Sequence, residues 1–313
     1  MEPKALFPRS IRYLLAVAER HSFTRAAEAL YVSQPTLSQQ IKQLEELLDV
    51  QLLDRSGRTV RLTAAGEVYL YHARRALGEL DAAKRAVHEL NDLSRGSIRL
   101  AMTPITDYLT MSLLDRFNSR YPGITVTTLE MPQDGIRSAL VEDRIDLGIA
   151  FSSTVSTESS SEEVESEILF IEPLSFTVGA EHPLADHQGP LNKHALEEEP
   201  LVLFNTDYAL RRHIDLYCLD HDIKPTVAID ATSLSVIVEI VRLGRLATIL
   251  PSTIARTQHG LRSIALLPNL PHHAVSLICR KTAYKSPACQ AFAAMAAEWT
   301  TDRSTQQTMN YVV

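Results

Sequence analysis

One segment of this 313-residue chain, residues 22–66, constrains its fold more than any other. Ser22 and Ser33 each stand before a run of helix-forming residues, where a serine hydroxyl can accept a hydrogen bond from a free backbone N–H. Pro35 lies in the first turn after the second serine, a position where its missing N–H costs nothing. Adjacent alanines in the first run leave room for a second helix to approach closely. The segment therefore predicts two short helices joined by a tight turn.

The second predicted helix has one apolar side and one polar side. Leu37, Ile41, Leu44 and Leu48 recur at spacings of four, three and four residues, which places them on one buried stripe. The amino-terminal and opposite positions are polar, as in a helix that presents side chains to base edges in the major groove of DNA. The predicted DNA-binding residues on this helix are Gln34, Pro35, Thr36, Ser38, Gln39 and Lys42.

Two short apolar stretches, residues 50–53 and 59–62, flank a Ser-Gly pair and predict a two-stranded hairpin. The hairpin carries Arg55, Arg58 and Arg61, and arginines suit phosphates or a narrow minor groove. Arg55 and Arg58 complete the set of predicted DNA-binding residues. The alternative structure is a small helical bundle with a solvated basic hairpin. The agreement of caps, turn, small-residue contact and arginines favours the DNA-binding interpretation.

These elements resemble the winged helix-turn-helix of the LysR-type transcriptional regulators. They read RAAEAL in the first helix, SQPTLS at the start of the second, LLDR in the hairpin and LTAAG after it. The resemblance implies that residues 1–62 form an all-α winged helix-turn-helix domain whose partner is double-stranded DNA at a promoter or operator. It also implies a small-molecule effector, RNA polymerase and further copies of the chain as partners.

A long amphipathic helix is predicted next. Residues 63–92 lack proline, and apolar side chains recur every three or four positions from Leu70 to Leu90. Such a seam can pack on its own domain, or it can pair with a second copy of the chain, as heptad-like spacing favours. The resemblance implies the second arrangement, with residues 63–95 as a dimerisation linker and the protein as a dimer or as a dimer of dimers, a homotetramer.

The charge is unevenly distributed. The whole chain carries a formal net charge of −7, yet residues 1–62 hold nine Lys and Arg against seven Asp and Glu. With so few phosphates neutralised per copy, useful affinity for DNA requires several copies on one site.

Hydropathy and cysteine spacing exclude several other classes of protein. No apolar run approaches the roughly 18 residues of a membrane span, and the first residues lack a signal-peptide core, so we expect a cytoplasmic protein without membrane contact. Cys218, Cys279 and Cys289 include no CxxC pair and predict buried thiols rather than a disulfide framework or a zinc site. Redox sensing by one of them is the alternative.

After residue 97 the pattern changes to short apolar strands that alternate with helices, which predicts an α/β fold. The predicted strands are residues 98–102, 125–131, 147–151, 174–178, 201–204, 226–230, 247–250 and 275–280, and the predicted helices are residues 104–120, 134–143, 208–221, 233–243 and 287–299.

The resemblance implies that residues 96–300 form a two-lobed effector domain similar to periplasmic binding proteins. The Ser- and Glu-rich residues 152–166 predict a solvated loop or the start of a crossover between the lobes. The tail, residues 301–313, is predicted to be disordered. The expected division is residues 97–166 and 267–300 for lobe I and residues 167–266 for lobe II.

Three strand-to-helix junctions carry hydroxyl or amide side chains where a ligand can bind. Open α/β sheets bind ligands at the carboxyl ends of their strands, and the free N–H groups of the following helix suit a small anion. Each hydroxyl taken alone is a helix cap in the simpler interpretation. We expect the cleft between the lobes to bind a small carboxylate or inorganic anion. The predicted effector-binding residues are Thr103, Pro104, Asn205, Thr206, Thr232 and Ser233.

Three segments, RSGRTVRLTAAGEV, RGSIRLAMTPIT and DLGIAF, are most similar within this family to activators of cyanate-degradation operons. The similarity implies an activator of a nearby catabolic operon that senses cyanate. Regulators that sense an aromatic or another organic acid are the alternative. Leu246 stands where the family usually has a second glycine, so close approach of a ligand to the backbone is not implied there.

Two other classes of protein compete with a regulator. A solute-binding protein shares the two-lobed fold but needs export and has no use for a DNA-binding domain. An enzyme needs a reactive constellation, and the sequence has no G-x-S-x-G elbow, Walker loop, G-x-G-x-x-G or H-E-x-x-H. His272 and His273 are neighbours on a predicted strand and point to opposite faces, which disfavours joint metal ligation. The sequence therefore predicts no enzymatic activity, no metal and no cofactor.

Overall fold

The computed structural model describes residues 7–57, 59–89, 93–152 and 163–310. The chain divides into two compact units, Met1–Lys84 and Arg85–Val313. The boundary lies within one helix, α4 (Ala64–Glu89).

The first unit is helical with one small hairpin. Its helices pack around the fully buried side chains of Leu14, Val17, Ala26, Leu37 and Ile41. This arrangement confirms the predicted winged helix-turn-helix, and α1 adds a helix to those that the sequence predicts. The elements before α4 are α1 (Phe7–Arg20), α2 (Phe23–Ala29), α3 (Gln34–Leu48), β1 (Leu53–Asp54) and β2 (Arg61–Leu62).

Both predicted serine caps are present. Ser22 Oγ accepts a hydrogen bond from the backbone N of Arg25 at 3.4 Å, and Ser33 Oγ accepts one from the backbone N of Thr36 at 3.3 Å. The last residue of α3 is Leu48, and the C-cap residue Asp49 that follows has a φ of 51°, in the left-handed region. Loss of such a serine cap costs about 1 kcal/mol, so Ser33 contributes directly to where α3 begins.

The hairpin between α3 and α4 is shorter than predicted. Leu53–Asp54 and Arg61–Leu62 pair as antiparallel strands of two residues each. The carboxylate of Glu45 in α3 accepts hydrogen bonds from the backbone N–H groups of Leu52 and the residue after it. The chain that leaves α3 is therefore held by a side chain before strand pairing begins. Arg58 lies outside the described residues.

The predicted linker helix is confirmed as far as Glu89. Thr63 is its cap, because Thr63 Oγ1 accepts a hydrogen bond from the backbone N of Gly66 at 3.0 Å. A Cβ at Gly66 would lie 2.1 Å from the carbonyl oxygen of Leu52, so only glycine fits in this first turn. Residues 90–92 of the predicted helix lie outside the described residues.

The second unit has the predicted α/β pattern, and every strand and helix predicted within it overlaps an observed one. Its elements are β3 (Gly96–Met102), α5 (Thr106–Arg120), β4 (Ile124–Glu130), α6 (Gln133–Val141), β5 (Leu147–Ser152), β6 (Val164–Gly179), β7 (Leu191–Asn192), α7 (Ala195–Glu198), β8 (Leu201–Phe204), α8 (Ala209–Asp220), β9 (Val227–Ala231), α9 (Leu234–Arg242), β10 (Thr248–Pro251), α10 (Ser252–Thr257), β11 (Leu261–Ile264), β12 (Leu266–Leu267), β13 (His272–Arg280) and α11 (Pro287–Asn310).

The main sheet is mixed. Its strands lie in the order β10-β6-β13-β5-β3-β4, and β11 also pairs with β6. β3 is parallel to β4 and β5, whereas β13 is antiparallel to β5 and β6. β8 and β9 form a parallel pair, which a bridge between Leu201 and Ala247 connects to the segment before β10. β7 and β12 form another parallel pair.

β6 is a single 16-residue strand that belongs to both lobes. Its first part, from Val164 to Pro173, pairs with β13, and its last part, from Leu174 to Gly179, pairs with β10 and β11. The pairing partners of β6 therefore change at Pro173–Leu174, and the lobe bounds at residues 166 and 167 stay a prediction. The solvated-loop alternative for residues 152–166 is wrong from Val164 onward, where β6 begins, and the strand fits the alternative of a crossover that starts there. Residues 153–162 lie outside the described residues.

The predicted disorder of residues 301–313 is wrong as far as Asn310, because α11 continues to that residue. Asp302 of α11 forms an ion pair with Arg116 of α5. Phe292 of α11 meets Phe117 of α5 edge to face, with 5.1 Å between ring centroids. Residues 311–313 lie outside the described residues. None of the described helices is both long and apolar enough to span a membrane.

Candidate nucleic-acid interface and effector cavities

The amino-terminal half of α3 exposes a continuous polar face. Leu37, Ile41 and Leu44 on the other side of the helix are at most 1% exposed. The face consists of the predicted DNA-binding residues Gln34, Pro35, Thr36, Gln39 and Lys42, which are exposed, and Ser38, which is half-buried.

Two side chains of this face have partners within the protein. The hydroxyl oxygen of Thr36 lies 2.7 Å from that of the cap Ser33, which fixes its position at the start of α3. The ammonium of Lys42 lies 3.5 Å from the carboxylate of Glu46, and both side chains are more than 60% exposed. An exposed pair of this kind contributes little free energy, so Lys42 can exchange its partner for a phosphate at small cost.

Arg55 is exposed, but its guanidinium has partners within the first unit. Its guanidinium pairs with Glu45 Oε2 at 2.7 Å and lies over the ring of Phe23, 5.2 Å from the centroid. These contacts give Arg55 a positioning role at the base of the hairpin, in addition to the predicted contact with DNA. Arg61 on β2 is exposed and lies near Asp54, a carboxyl whose pKa is lowered by hydrogen bonds from Ser56 and by the charge of Arg61.

Glu45 is a functional residue that the sequence analysis did not identify. It is 9% exposed, and its carboxylate accepts hydrogen bonds from the backbone N–H groups of Leu52 at 2.9 Å and Leu53 at 3.1 Å as well as from Arg55. Glu45 thereby fixes the hairpin relative to α3. A signal was available in the sequence, because Glu45 follows Ile41 by four residues and so falls on the buried stripe.

A cleft of about 620 Å³ lies between α5, β4 and α9 in the second unit. We call it the α5–α9 cleft. Met111, Leu129 and Val238 contribute apolar wall, and the charged side chains that line it are Asp107, Glu130 and Glu239. Burial raises the pKa of Asp107 to about 6; a hydrogen bond from the Tyr108 backbone lowers it and the charge of Glu130 raises it further. This surface disfavours an anion.

A second cavity, of about 240 Å³, lies between α6 of lobe I and α8 of lobe II. We call it the α6–α8 cavity. Gln133, Asp134 and Arg137 line it from α6, and His213 lines it from α8. Strand residues complete the wall: Ala150, Phe151, Val164, Ser166, Ser276 and Ile278.

The α6–α8 cavity is bordered by contacts between the lobes. The ring of His213 stacks on the ring of His273, with 4.4 Å between centroids and 13° between planes. Burial lowers the pKa of His213, and burial together with the neighbouring histidines lowers that of His273 to about 3, so both rings are neutral at pH 7. The guanidinium of Arg212 lies 3.1 Å from the carboxylate of Asp134.

Both halves of the chain match known bacterial families. Residues 8–67 match the model of the bacterial regulatory helix-turn-helix protein, lysR family, and residues 91–301 match that of the LysR substrate binding domain. The second match covers more than half of the chain. The chain belongs to the LysR family of bacterial transcriptional regulators.

Individual relatives span nearly the whole of this LysR-type regulator. It is 30% identical over 291 residues to the uncharacterized HTH-type transcriptional regulator YnfL of Escherichia coli (strain K12), covering 91% of this chain and 95% of YnfL. It is 27% identical over 276 residues to the hydrogen peroxide-inducible genes activator of Dickeya chrysanthemi, covering 87% and 88%. Full-length CbnR complexed with its target DNA has the same fold, with 23% identity, a TM-score of 0.65 and coverage of 93% and 98%.

Neither of these two cavities is lined by all six predicted effector-binding residues of this LysR-type regulator. Pro104 and Ser233 line the α5–α9 cleft. Thr103 is buried, and its hydroxyl serves as a cap by accepting a hydrogen bond from the backbone N of Thr106 at 3.2 Å. The remaining predicted residues line neither cavity: Asn205, whose amide oxygen accepts from the backbone N of Asp207, and the exposed Thr206 and Thr232.

The cysteines and the adjacent histidines lie as the sequence predicts. Cys218 and Cys289 are buried and Cys279 is half-buried. Burial raises the pKa of the Cys218 thiol to about 11 and that of the Cys279 thiol to about 12. His273 is 5% exposed whereas His272 is exposed, as expected for neighbours on opposite faces of a strand.

Proposed function

We propose that this LysR-type regulator reads operator DNA with the exposed polar face of α3, inserted in the major groove. The observation that carries the proposal is the division of α3 into a buried stripe and an exposed polar amino-terminal half. Gln34 and Gln39 suit adenine edges, Thr36 and Ser38 accept several bases, and Lys42 neutralises a phosphate. Arg55 and Arg58 of the hairpin, together with Arg61, contact the backbone or the minor groove.

A second copy of the chain is the proposed occupant of the apolar side of α4. A shallow groove of about 330 Å³ is lined there by Tyr69, Ala73, Leu77 and Leu80, and Leu80 is 52% exposed. Pairing through α4 supplies the additional copies that a weakly cationic DNA-binding domain needs. The proposed assembly is a homodimer that associates further into a homotetramer.

Titration of an operator fragment with the full chain at several salt concentrations tests the DNA proposal. Gln39→Ala is expected to weaken binding by about 1–3 kcal/mol, and Lys42→Ala to reduce the slope of log K against log salt by about one. Gln51→Ala is the matched control, since Gln51 is exposed but lies outside the polar face of α3. Equal affinities and slopes for all three variants would contradict the proposal.

The second unit is proposed to sense a small molecule. Ligand bound between the lobes closes them, the contacts between copies change, and the winged domains alter their spacing on DNA and its bend. Activation of a cyanate-degradation operon is the narrower proposal and rests on three sequence segments alone; an organic or aromatic acid is the alternative effector. A footprint with and without cyanate tests it, and an unchanged footprint excludes cyanate.

Hydrogen peroxide is not the proposed effector, although it appears in the name of the Dickeya relative. Peroxide reacts with thiolates, and burial raises the pKa of Cys218 and of Cys279 well above neutrality. Both groups therefore stay protonated at pH 7.

A further inference from the structure

Tyr31 has an unusual backbone conformation for a tyrosine. It lies in the turn between α2 and α3, and its φ of 54° is in the left-handed region. A bulky aromatic residue is an outlier there, so the backbone at Tyr31 is strained. The other non-glycine residues with a positive φ in the described part of the chain belong to types that adopt this conformation more readily, and they are His21, Asp49, Asp143 and Asp222.

Packing does not compensate for this strain. Tyr31 is 96% exposed, more than any other large apolar or aromatic residue in the described ranges. Leu30 and Val32 on either side pack against the apolar core of the first unit, whereas Tyr31 does not. A single exposed aromatic residue is common and needs no explanation. Exposure combined with strain, however, indicates that the side chain serves a function.

Hydrogen bonds fix the turn that presents Tyr31. Its backbone N–H donates to the carbonyl oxygen of Glu28 at 3.2 Å, and the backbone N–H of Val32 donates to the carbonyl oxygen of Ala27 at 3.0 Å. Ser33, the cap of α3, follows Val32 directly. The backbone of Tyr31 is therefore held at the start of α3, and only its side chain is left to adapt to a ligand.

The start of α3 is the end of the helix that we propose enters the major groove. Three peptide units separate Tyr31 from Gln34, so their Cα atoms lie at most about 11 Å apart, which is less than the groove width of about 12 Å. Phosphates of the two strands line the edges of this groove. A tyrosine hydroxyl can donate a hydrogen bond to a phosphate oxygen, and such contacts orient a protein on DNA without reading its sequence.

We propose that Tyr31 donates a hydrogen bond from its hydroxyl to a backbone phosphate of DNA, at the edge of the groove that α3 enters. The inference rests on the proposed function, because it adds a phosphate contact to the helix face that reads bases. The hydroxyl is a neutral donor, so, unlike Lys42, it releases no counterion from DNA. An exposed tyrosine also suits a protein partner, but the position of Tyr31 at the DNA-reading end of α3 favours a phosphate.

Titration of two DNA duplexes with the full chain tests this contact. One duplex is selected by the full chain from a random pool, and the other has an unrelated sequence. Tyr31→Phe retains the ring and removes the hydroxyl, so it is expected to weaken binding to both duplexes about fivefold, the effect of one hydrogen bond. The ratio of the two affinities and the slope of log K against log salt are expected to stay unchanged. Tyr284→Phe is the matched control, since Tyr284 is 48% exposed in the second unit, and it leaves both affinities unchanged.

Tyr31→Asn separates a contact with DNA from a structural role in the turn. Asparagine adopts the left-handed conformation more readily, so this variant is expected to have a melting temperature about 2 °C higher and yet to bind both duplexes at least about fivefold more weakly. An affinity of Tyr31→Phe equal to that of the unsubstituted protein would overturn the proposal and would point to a protein partner. A changed ratio of the two affinities would also overturn it, since that change would show a contact with a base.

The same titration distinguishes the failure of this inference from the failure of the proposed function. If the full chain enriches no duplex from the pool, the proposed reading of DNA by α3 fails, and the inference fails with it. If Gln39→Ala weakens binding and Tyr31→Phe does not, the proposed function stands and the contact of Tyr31 with phosphate is overturned.

Discussion

The two units of this LysR-type regulator assemble their candidate sites over very different distances in the sequence. In the first unit, the polar face that we propose reads DNA lies within residues 34–42 of one helix. In the second unit, the α6–α8 cavity combines Ser166 of β6 with Ile278 of β13, which come together because these two strands pair along their lengths. A site on one helix is fixed by its caps and its periodicity, whereas a cavity between lobes is fixed by strand pairing that periodicity does not reveal.

Two adjacent glutamates test whether the first unit depends on one short-range network. Glu45→Ala leaves two backbone N–H groups and Arg55 without their acceptor, and we expect a loss of about 3 kcal/mol in the free energy of unfolding. Glu46→Ala, which removes an exposed partner of Lys42, should cost no more than about 0.5 kcal/mol. Urea unfolding of the full chain measures both losses of stability. Similar losses for the two variants would contradict the claim that the Glu45 carboxylate holds the hairpin against α3.

His273 provides the corresponding test in the second unit. The pKa of His273 in the folded chain is about 3, below the ordinary histidine value of 6.5. At a pH between these two pKa values, His273 binds a proton in the unfolded chain but not in the folded chain. Stability is therefore lost as the pH falls, and linkage gives about 2 kcal/mol for this group between pH 7 and 5. The decrease should be smaller by that amount in His273→Phe, as measured by urea unfolding at both pH values. Equal decreases would show that the buried imidazole does not couple folding to pH.

Asp107 provides a second test in the second unit, in which stability changes with pH in the direction opposite to that for His273. Its folded-state pKa of about 6 is raised, mainly by burial, so the folded state favours the protonated acid. This contribution stabilises the protein below the unfolded pKa and is lost as the pH rises through 6. Asp107→Asn should abolish that loss, so its stability should fall less than that of the unsubstituted protein as the pH rises from 4 to 7. A variant that loses stability equally over this range would contradict the burial of Asp107.

The smallest expected effect concerns the thiols. Because burial raises the pKa of Cys218 and Cys279 to about 11 and about 12, little thiolate is present at pH 7. Treatment of the full chain with hydrogen peroxide should therefore change its affinity for DNA by less than about twofold, within the usual scatter of such measurements. A larger change that disappears in Cys218→Ser or Cys279→Ser would contradict the burial of these groups.

Features that depend on neighbouring residues could be predicted from the sequence, whereas features that depend on tertiary contacts could not. The caps Ser22 and Ser33 follow from side-chain hydrogen bonding to nearby N–H groups, and both are present. The course of β6 could not be predicted in the same way, because pairing with β13, about a hundred residues later, makes its Glu-rich first part a strand. Thr103 accepts a hydrogen bond from the backbone N of Thr106, and its contact with a ligand stays a prediction.

The same contrast between local and tertiary signals explains which candidate site could be predicted from the sequence. The polar face of α3 was predictable, since one apolar stripe defines the opposite side of a helix. The polar residues of the α6–α8 cavity have no common spacing in the sequence, and the stacking of His213 on His273 joins helix α8 to strand β13. Glu45 lies between these cases, because its position on the stripe is visible in the sequence but its three donors are not.

Selection of bound sequences from a random DNA pool tests the central claim most directly, with the full chain and its Gln39→Ala variant run in parallel. Two copies that each insert α3 should enrich an inverted repeat with half-site centres about one helical turn, or a multiple of it, apart. The substitution should relax base preference at the same position in both half-sites. No enriched motif, or an identical motif for the variant, would contradict the claim that the polar face of α3 reads DNA in pairs.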